Sequence, residues 1–265
     1  MDSFEEIAAR YRQTSLVQAS AGAKLIELLD IPARADILDV GCGTGNLTAR
    51  LAKKTAGKVI GIDPSGAMIR EASRIYPDPR IRFLVMDSHE MSFDKAFDVI
   101  YCNSVFQWFF QPEIFLGNAL RALRPGGRIG MQAPSRHNYC PVFLEAIESC
   151  SRIPELNQVI STFRSPWFML DTAEAYRSLF EEAGFKVIFS TLEETRNRQT
   201  PAQVFDIFGS GAKAGYLNPA CYDSPFPEGF ETLFLDAIHR SFESQADADG
   251  MIDLMFYRIY VIAER

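Results

Sequence analysis

Basic residues are in deficit in this chain of 265 residues. Twenty-seven Lys and Arg stand against 34 Asp and Glu, a formal net charge of -7. No global positive field is then available to attract phosphates, which excludes non-specific nucleic-acid binding and leaves room only for a local basic patch. Long apolar runs are missing as well: no stretch reaches the ~18 residues that a membrane-spanning helix requires. The opening Met1-Asp2-Ser3-Phe4-Glu5-Glu6 is acidic and polar where an export signal would be basic and then apolar. Paired cysteines are absent. Cys42, Cys102, Cys140, Cys150 and Cys221 are odd in number and scattered, and read as the reduced thiols of a cytoplasmic protein. His89, His137 and His239 do not stand at ligand spacing from one another, so no metal site is predicted. Internal repeats and low-complexity tracts are lacking too.

What is present is a regular alternation. Residues 4 to 29 read as a helix, with Leu16, Ala19, Ala23, Ile26 and Leu29 at three- and four-residue spacing and Ile31-Pro32 as its stop. Apolar strands follow at 37–40, 58–62, 81–86, 97–102 and 128–132, with helices between them at 46–54, 66–75 and 113–123. Five such strands separated by helices predict an α/β fold, a doubly wound parallel sheet covered on both faces. After residue 134 the rhythm changes. A helix at 173–183, a strand at 185–191, helical pieces over 200–246 and a final strand at 251–263 predict completion of the sheet with helical cap insertions. The expected organisation is a helical lid (1–30), a ligand-binding core (31–134) and a completing segment (135–265), all within one domain.

The sharpest feature is the turn Gly41-Cys42-Gly43-Thr44-Gly45 between the first strand and its helix. Glycines let the backbone turn tightly and approach a ligand, which then meets free N–H groups at a helix start. Asn46 stands where a dinucleotide fingerprint has its third glycine. Asp63 ends the second strand, placed to accept two ribose hydroxyls or to cap the helix that Pro64 opens. Asp87 ends the third strand, either beside an adenine amino group or as a loop carboxylate in water. Asp39 precedes the loop, where a carboxylate suits an ammonium-bearing ligand and repels a pyrophosphate, unless it is an exposed strand-end acid. Together these acids point to a zwitterionic nucleoside.

Ile37-Leu38-Asp39-Val40-Gly41-Cys42-Gly43-Thr44-Gly45, Gly61-Ile62-Asp63-Pro64-Ser65, Asp87, Phe97-Asp98-Val99-Ile100 and Leu123-Arg124-Pro125-Gly126-Gly127 resemble, in order, the landmarks of the class I S-adenosylmethionine-dependent methyltransferases. The resemblance covers about residues 35 to 133. It implies a seven-stranded Rossmann-like sheet with a C-terminal antiparallel hairpin. It also implies S-adenosyl-L-methionine as cofactor, held by Asp39, Gly41, Gly43, Gly45, Asp63, Met68, Asp87, Ser88 and Asn103.

Asn103-Ser104-Val105-Phe106-Gln107-Trp108-Phe109, after the fourth strand, is similar to the trans-aconitate methyltransferases and the malonyl-carrier-protein O-methyltransferases, which esterify carboxylates. That resemblance implies Tyr11, Gln107 and Trp108 as substrate-pocket residues, although Gln107-Trp108 also reads as plain packing. A carboxylate nucleophile is ionised at neutral pH and needs no general base, and no single catalytic residue is predicted. A substrate acid would be met by a guanidinium, for which Arg136, Arg152, Arg164, Arg196 and Arg198 are the cap candidates, each also readable as a solvated surface cation. The expected partner is a small acid or an acyl thioester, with an acyl carrier protein as one form. That form requires a basic patch, from Arg196-Asn197-Arg198 or from Arg121, Arg124 and Arg128. A nicotinamide-dependent dehydrogenase and a non-catalytic cofactor-binding protein are the competing classes.

Overall fold

The computed structural model describes residues 16–135 and 138–265. Helix α1 (Leu16–Leu28) precedes strand β1 (Ile37–Val40), which is buried at every position, as a strand covered on both faces must be. The alternation continues through α2 (Asn46–Ala52), β2 (Val59–Asp63), α3 (Gly66–Ile75), β3 (Ile81–Val85), β4 (Phe97–Asn103), α4 (Pro112–Ala122) and β5 (Leu123–Pro134). A single 3₁₀ turn, Phe106–Trp108, lies between β4 and α4. Then come α5 (Pro141–Ser151), α6 (Pro154–Ile160), α7 (Ala173–Glu182), β6 (Lys186–Gln199), α8 (Pro201–Ser210), α9 (Ala212–Tyr216), α10 (Phe230–Ser244) and β7 (Ile252–Glu264). The sheet order is β3-β2-β1-β4-β5-β7-β6. Pairing is parallel from β3 to β5, whereas β7 runs antiparallel to β5. Chain order reverses between β1 and β4, and ligands of open α/β sheets bind at that switch, beyond the carboxyl ends of the strands.

Two apolar layers cover the sheet. One face packs Ile100, Ile129, Met131 and Val261 against Phe115, Phe180 and the fully buried Phe106. The other packs Ile37, Tyr101, Tyr260 and Ile262 against Leu25 and Leu29 of α1 and the turn after it. The Tyr101 hydroxyl donates to the Gly22 carbonyl at 3.0 Å, fixing α1 at the centre of the sheet.

Strand β6 departs from the expected boundary. Its apolar run ends near residue 191, but pairing continues to Gln199 through Glu193, Glu194, Arg196 and Arg198. As the outermost strand of the sheet, β6 can extend a charged half into solvent, and hydrophobic periodicity is silent there.

The chain forms two compact units. The first contains residues 18–135, 168–193 and 258–265, and residues 138–167 and 194–257 make up the body of the second. The second unit has its own aromatic core, in which Phe143, Phe208, Tyr216, Phe234 and Phe242 are buried. Trp167 lies flat on Gly215, where a Cβ would stand 2.1 Å from the indole. All five cysteines are free and buried. No helix among the described residues is long and apolar enough to cross a membrane.

At the amino ends of β1 and β4 a guanidinium clamp holds the register. Arg124 donates to Asp36 at 2.8 Å and to Asp98 at 2.6 Å, and Asp98 also accepts from the Asp36 amide at 2.8 Å. Burial pushes the Asp36 carboxyl up, but the Lys58 amide and Arg124 outweigh it and hold the group below its ordinary value. The Arg-Pro-Gly-Gly landmark therefore serves the fold, at the end of the sheet opposite the switch point. Arg124→Met should lower the unfolding free energy by about 1–2 kcal/mol in urea titrations, leaving two carboxylates facing each other. It should leave ligand binding at the carboxyl edge unchanged by calorimetry.

Candidate functional site

The glycine loop leaves β1 through three left-handed residues, Gly41 (φ 68), Gly43 (φ 52) and Gly45 (φ 80). At Gly41 a Cβ would stand 2.2 Å from Val105, so the loop is pressed against the segment that follows β4. At Gly43 a Cβ would meet nothing within 4 Å, so the backbone there faces open space. The amides of Gly41 and Cys42 donate to the Ile62 carbonyl at 2.8 and 3.0 Å, which ties the loop to β2.

Asp63 is built into that turn. One of its oxygens accepts from the Gly43 amide at 3.0 Å and the other from the Ser65 amide at 2.9 Å. The cap of α3 is Ser65, whose hydroxyl accepts from the Met68 amide, so the capping role open to Asp63 falls to Ser65. Met68 is half-buried on the first turn of α3. Asp39 is not an exposed acid: it is 2% exposed, and its carboxylate accepts from the Thr48 hydroxyl at 2.6 Å. Burial pushes its pKa up to about 7, against the Thr48 hydrogen bond and with the Asp63 charge adding to the rise.

At the end of β3, Asp87 accepts from the His89 amide at 2.8 Å and pairs with its ring Nδ1 at 3.0 Å. The amide bond is the main reason that this carboxyl is held below its ordinary value, despite some desolvation. Its side chain is half exposed. Ser88 is buried, and Asn118 of α4 donates to the carbonyls of Ser88 and His89 at 3.2 and 2.8 Å, pinning the turn.

The ends of β4 and β5 carry a network of neutral polar groups. Asn103 is registered with Gln132. Ser104 adopts a left-handed φ of 57 that a non-glycine residue rarely holds. Three hydrogen bonds hold it there: its amide donates to the Gln132 carbonyl at 2.9 Å, its hydroxyl to Gln132 Oε1 at 2.9 Å, and its carbonyl accepts from Gln107 Nε2 at 2.9 Å. Because a carbonyl can only accept, this last bond orients the Gln107 amide and leaves the buried Oε1 as an unpartnered acceptor. Gln107 is buried, whereas Trp108 is 40% exposed on the same turn. The next turn residue inward, Phe106, belongs wholly to the core.

Among the described residues, the buried side-chain polar atoms without a hydrogen-bond partner are His89 Nε2, Asn103 Oδ1, Gln107 Oε1 and Ser135 Oγ. All four follow or end β3, β4 or β5 at the carboxyl edge. Buried polar atoms are rarely left unpaired, so their collection along one edge marks where a polar ligand fits. Gln132, Ser135, His89 and Asn118 carry no motif, and only the fold brings them to this edge. No group of acids, histidines and cysteines able to hold a metal occurs among the described residues.

Residues 37–127 match the methyltransferase domain family, a span that holds the loop, the acids and the turn after β4. Over 234 residues the chain is 31% identical to a trans-aconitate 2-methyltransferase of Shigella dysenteriae, covering 86% of each protein. The chain belongs to the S-adenosylmethionine-dependent methyltransferases. It is 25% identical over 270 residues to a malonyl-[acyl-carrier protein] O-methyltransferase of Herminiimonas arsenicoxydans, covering 99% of this chain and 94% of that protein. In fold it resembles an S-adenosylmethionine-dependent methyltransferase of Methanosarcina mazei, with a TM-score of 0.55, 16% identity, and coverage of 89% of this chain and 94% of that one.

In this methyltransferase most of the arginines nominated for a substrate acid are already engaged. Arg152 pairs with Glu148, Arg164 with Asp223, Arg196 with Glu194 and Asp253, and Arg198 with Asp247 and Asp249, all on exposed surface. Arg136 and Tyr11 lie outside the described residues. Neither nominated basic patch stands alone: Arg124 clamps Asp36 and Asp98, and Arg128 pairs with Glu264.

The buried acid has a measurable signature. With a carboxyl pKa of about 7 in the fold and 3.8 for the unperturbed group, the folded state holds the extra proton between those values. Stability therefore falls as pH rises from about 4 to about 7 and levels off above. Asp39→Asn should remove this slope and exceed the wild type above pH 7 by up to about 4 kcal/mol in urea titrations. Equal slopes in the two proteins would place the titrating group elsewhere.

Proposed function

We propose that this methyltransferase esterifies a carboxylate, transferring the methyl group of S-adenosylmethionine to an oxygen of a small-molecule or thioester-linked acid. The cofactor's sulfonium supplies an electrophilic methyl group. Open backbone at Gly43 and the short helix start behind it suit the methionine end. Asp63 keeps acceptor sites beyond its two amide bonds and suits the ribose hydroxyls. Asp87 and Ser88 suit the adenine. The anionic form of Asp39 and the outward Asn103 Oδ1 suit the ammonium group.

One observation carries the choice of acceptor. The edge of β4 and β5, where the nucleophile must approach, is lined by Asn103, Ser104, Gln107, Gln132 and Ser135, all amides and hydroxyls, and the imidazole of His89, at the end of β3, is held by Asp87 and stacks edge-on against Phe109. An amine or phenol would have to lose a proton on the way to product. A carboxylate oxygen supplies its electron pair directly, the carbon–sulfur bond breaks with its pair left on sulfur, and no proton moves. The enzyme's contribution is then alignment and exclusion of water. The names of the relatives, trans-aconitate 2-methyltransferase and malonyl-carrier O-methyltransferase, both describe acids as acceptors.

Labelled methyl donor, with trans-aconitate and a malonyl thioester as acceptors, tests this reading. The product should release its label as methanol in mild alkali, and kcat at saturating cofactor should stay flat from about pH 6 to 8, because an acid of pKa ~4 is fully ionised there. Alkali-stable label would overturn the carboxylate acceptor and leave the methyltransferase intact. Asp63→Ala should weaken cofactor binding by roughly 1.5–3 kcal/mol per lost charge-assisted hydrogen bond, read by calorimetry.

A further inference from the structure

Among the described residues, Asp39 and Arg258 are the two charged side chains that are buried, at 2% and 6% exposure. They lie on β1 and β7, two strands that β4 and β5 separate. In the row that ends β4, Asn103 is registered with Gln132 and Gln132 with Tyr260. Val40 is registered with Cys102, so Gly41 continues this row on the β1 side. Two pairs further out, Pro134 is registered with Arg258. With strands ~4.8 Å apart, Arg258 stands roughly 10 Å across the edge from β4 and roughly 14 Å from the glycine loop.

Arg258 shares a face with Tyr260, whose hydroxyl accepts a hydrogen bond from it. The other charges acting on that phenol are Lys24 and Glu193, which pair with each other. A guanidinium is charged at every physiological pH, and burying it is costly unless acceptors or an anion compensate. Its rigid fork of donors can serve a partner in the protein and an external carboxylate together. Ser135 follows the registered Pro134 in the chain and is a fully buried hydroxyl with no partner. The cap arginines that are described all have surface carboxylates, so none of them is a comparable buried anchor.

We propose that Arg258 binds a second, non-reacting carboxylate of the acceptor, so that the preferred substrate is a small di- or tricarboxylic acid. This rests on the carboxylate acceptor argued above and narrows it. The reacting carboxylate lies over β4 and β5, and the second lies a few carbons away over β7. A malonyl thioester has only the carboxylate that reacts and leaves the guanidinium without a substrate partner.

The test compares trans-aconitate with malonyl-coenzyme A in the wild type, Arg258→Lys and Arg258→Gln, with cofactor binding by calorimetry as the check on folding. In the wild type, trans-aconitate should have a KM at least 10-fold below that of the thioester. Arg258→Gln should raise the KM for trans-aconitate 100-fold or more and Arg258→Lys about 10-fold, because an ammonium keeps the charge without the fork. The thioester KM and the cofactor affinity should move less than threefold. A purely structural Arg258 would shift both substrates alike, and that result overturns the proposal while ester formation stands. A wild-type preference for the thioester overturns it without any variant. Absence of alkali-labile product from either acid overturns it together with the carboxylate reading.

Discussion

Everything at the carboxyl edge depends on the turn at residues 41–45 closing without a side chain in its way. Val105 occupies the space that a Cβ on Gly41 would need, and the Ile62 carbonyl receives two successive amides from the loop. Those contacts come from β4 and β2, so the loop has its shape only when β1 lies between both neighbours in register. Asp63 adds the last constraint by holding the Gly43 amide. The conformation that brings backbone amides to a ligand is thus a property of three strands, although the motif itself is read from five residues.

The distribution of charge along the edge follows from the same architecture. Acids stand in or after the last residues of β1, β2 and β3, an arrangement that suits the ammonium group and hydroxyls of the proposed nucleoside ligand. Neutral amides and hydroxyls end β4 and β5. Their strain and hydrogen bonding are concentrated at Ser104, whose left-handed backbone costs on the order of 1–3 kcal/mol and persists because three hydrogen bonds converge on it. A polar but uncharged surface of this kind can align an anion without competing for its proton or its charge.

Much of the first unit was legible in the sequence, because a strand covered on both faces must be a short apolar run and its helix must follow. Asp39, Asp63 and Asp87 were legible for a related reason: each stands where an apolar run stops. The polar half of the site was legible only at Asn103 and Gln107, beside the fourth strand. Gln132 and Ser135 lie within or beside an unremarkable strand, and Arg258 sits in a run of tyrosine, isoleucine and valine where a charge reads as the outward face. Its meaning comes from pairing with Pro134, 124 residues earlier in the chain, which no local pattern encodes. The cap arginines show the converse error. Five cations in the second half of the chain looked like anion ligands, whereas four of them are matched by nearby acids on the surface. Residues 192–199 were missed as strand because an edge strand need not be apolar.

The order of strands has a consequence for how the molecule comes into being. β7, the last element along the chain, lies between β5 and β6. During synthesis β5 must therefore wait with an open edge while some 120 residues, including most of the second unit, leave the ribosome. Contacts so distant in sequence close slowly, and an apolar strand edge left unpaired in that interval invites intermolecular association. A chain stopped before residue 252 would keep the glycine loop and its acids yet lack both the strand that covers this edge and the buried guanidinium it carries. Completion of the sheet and burial of that guanidinium are, in time, a single event.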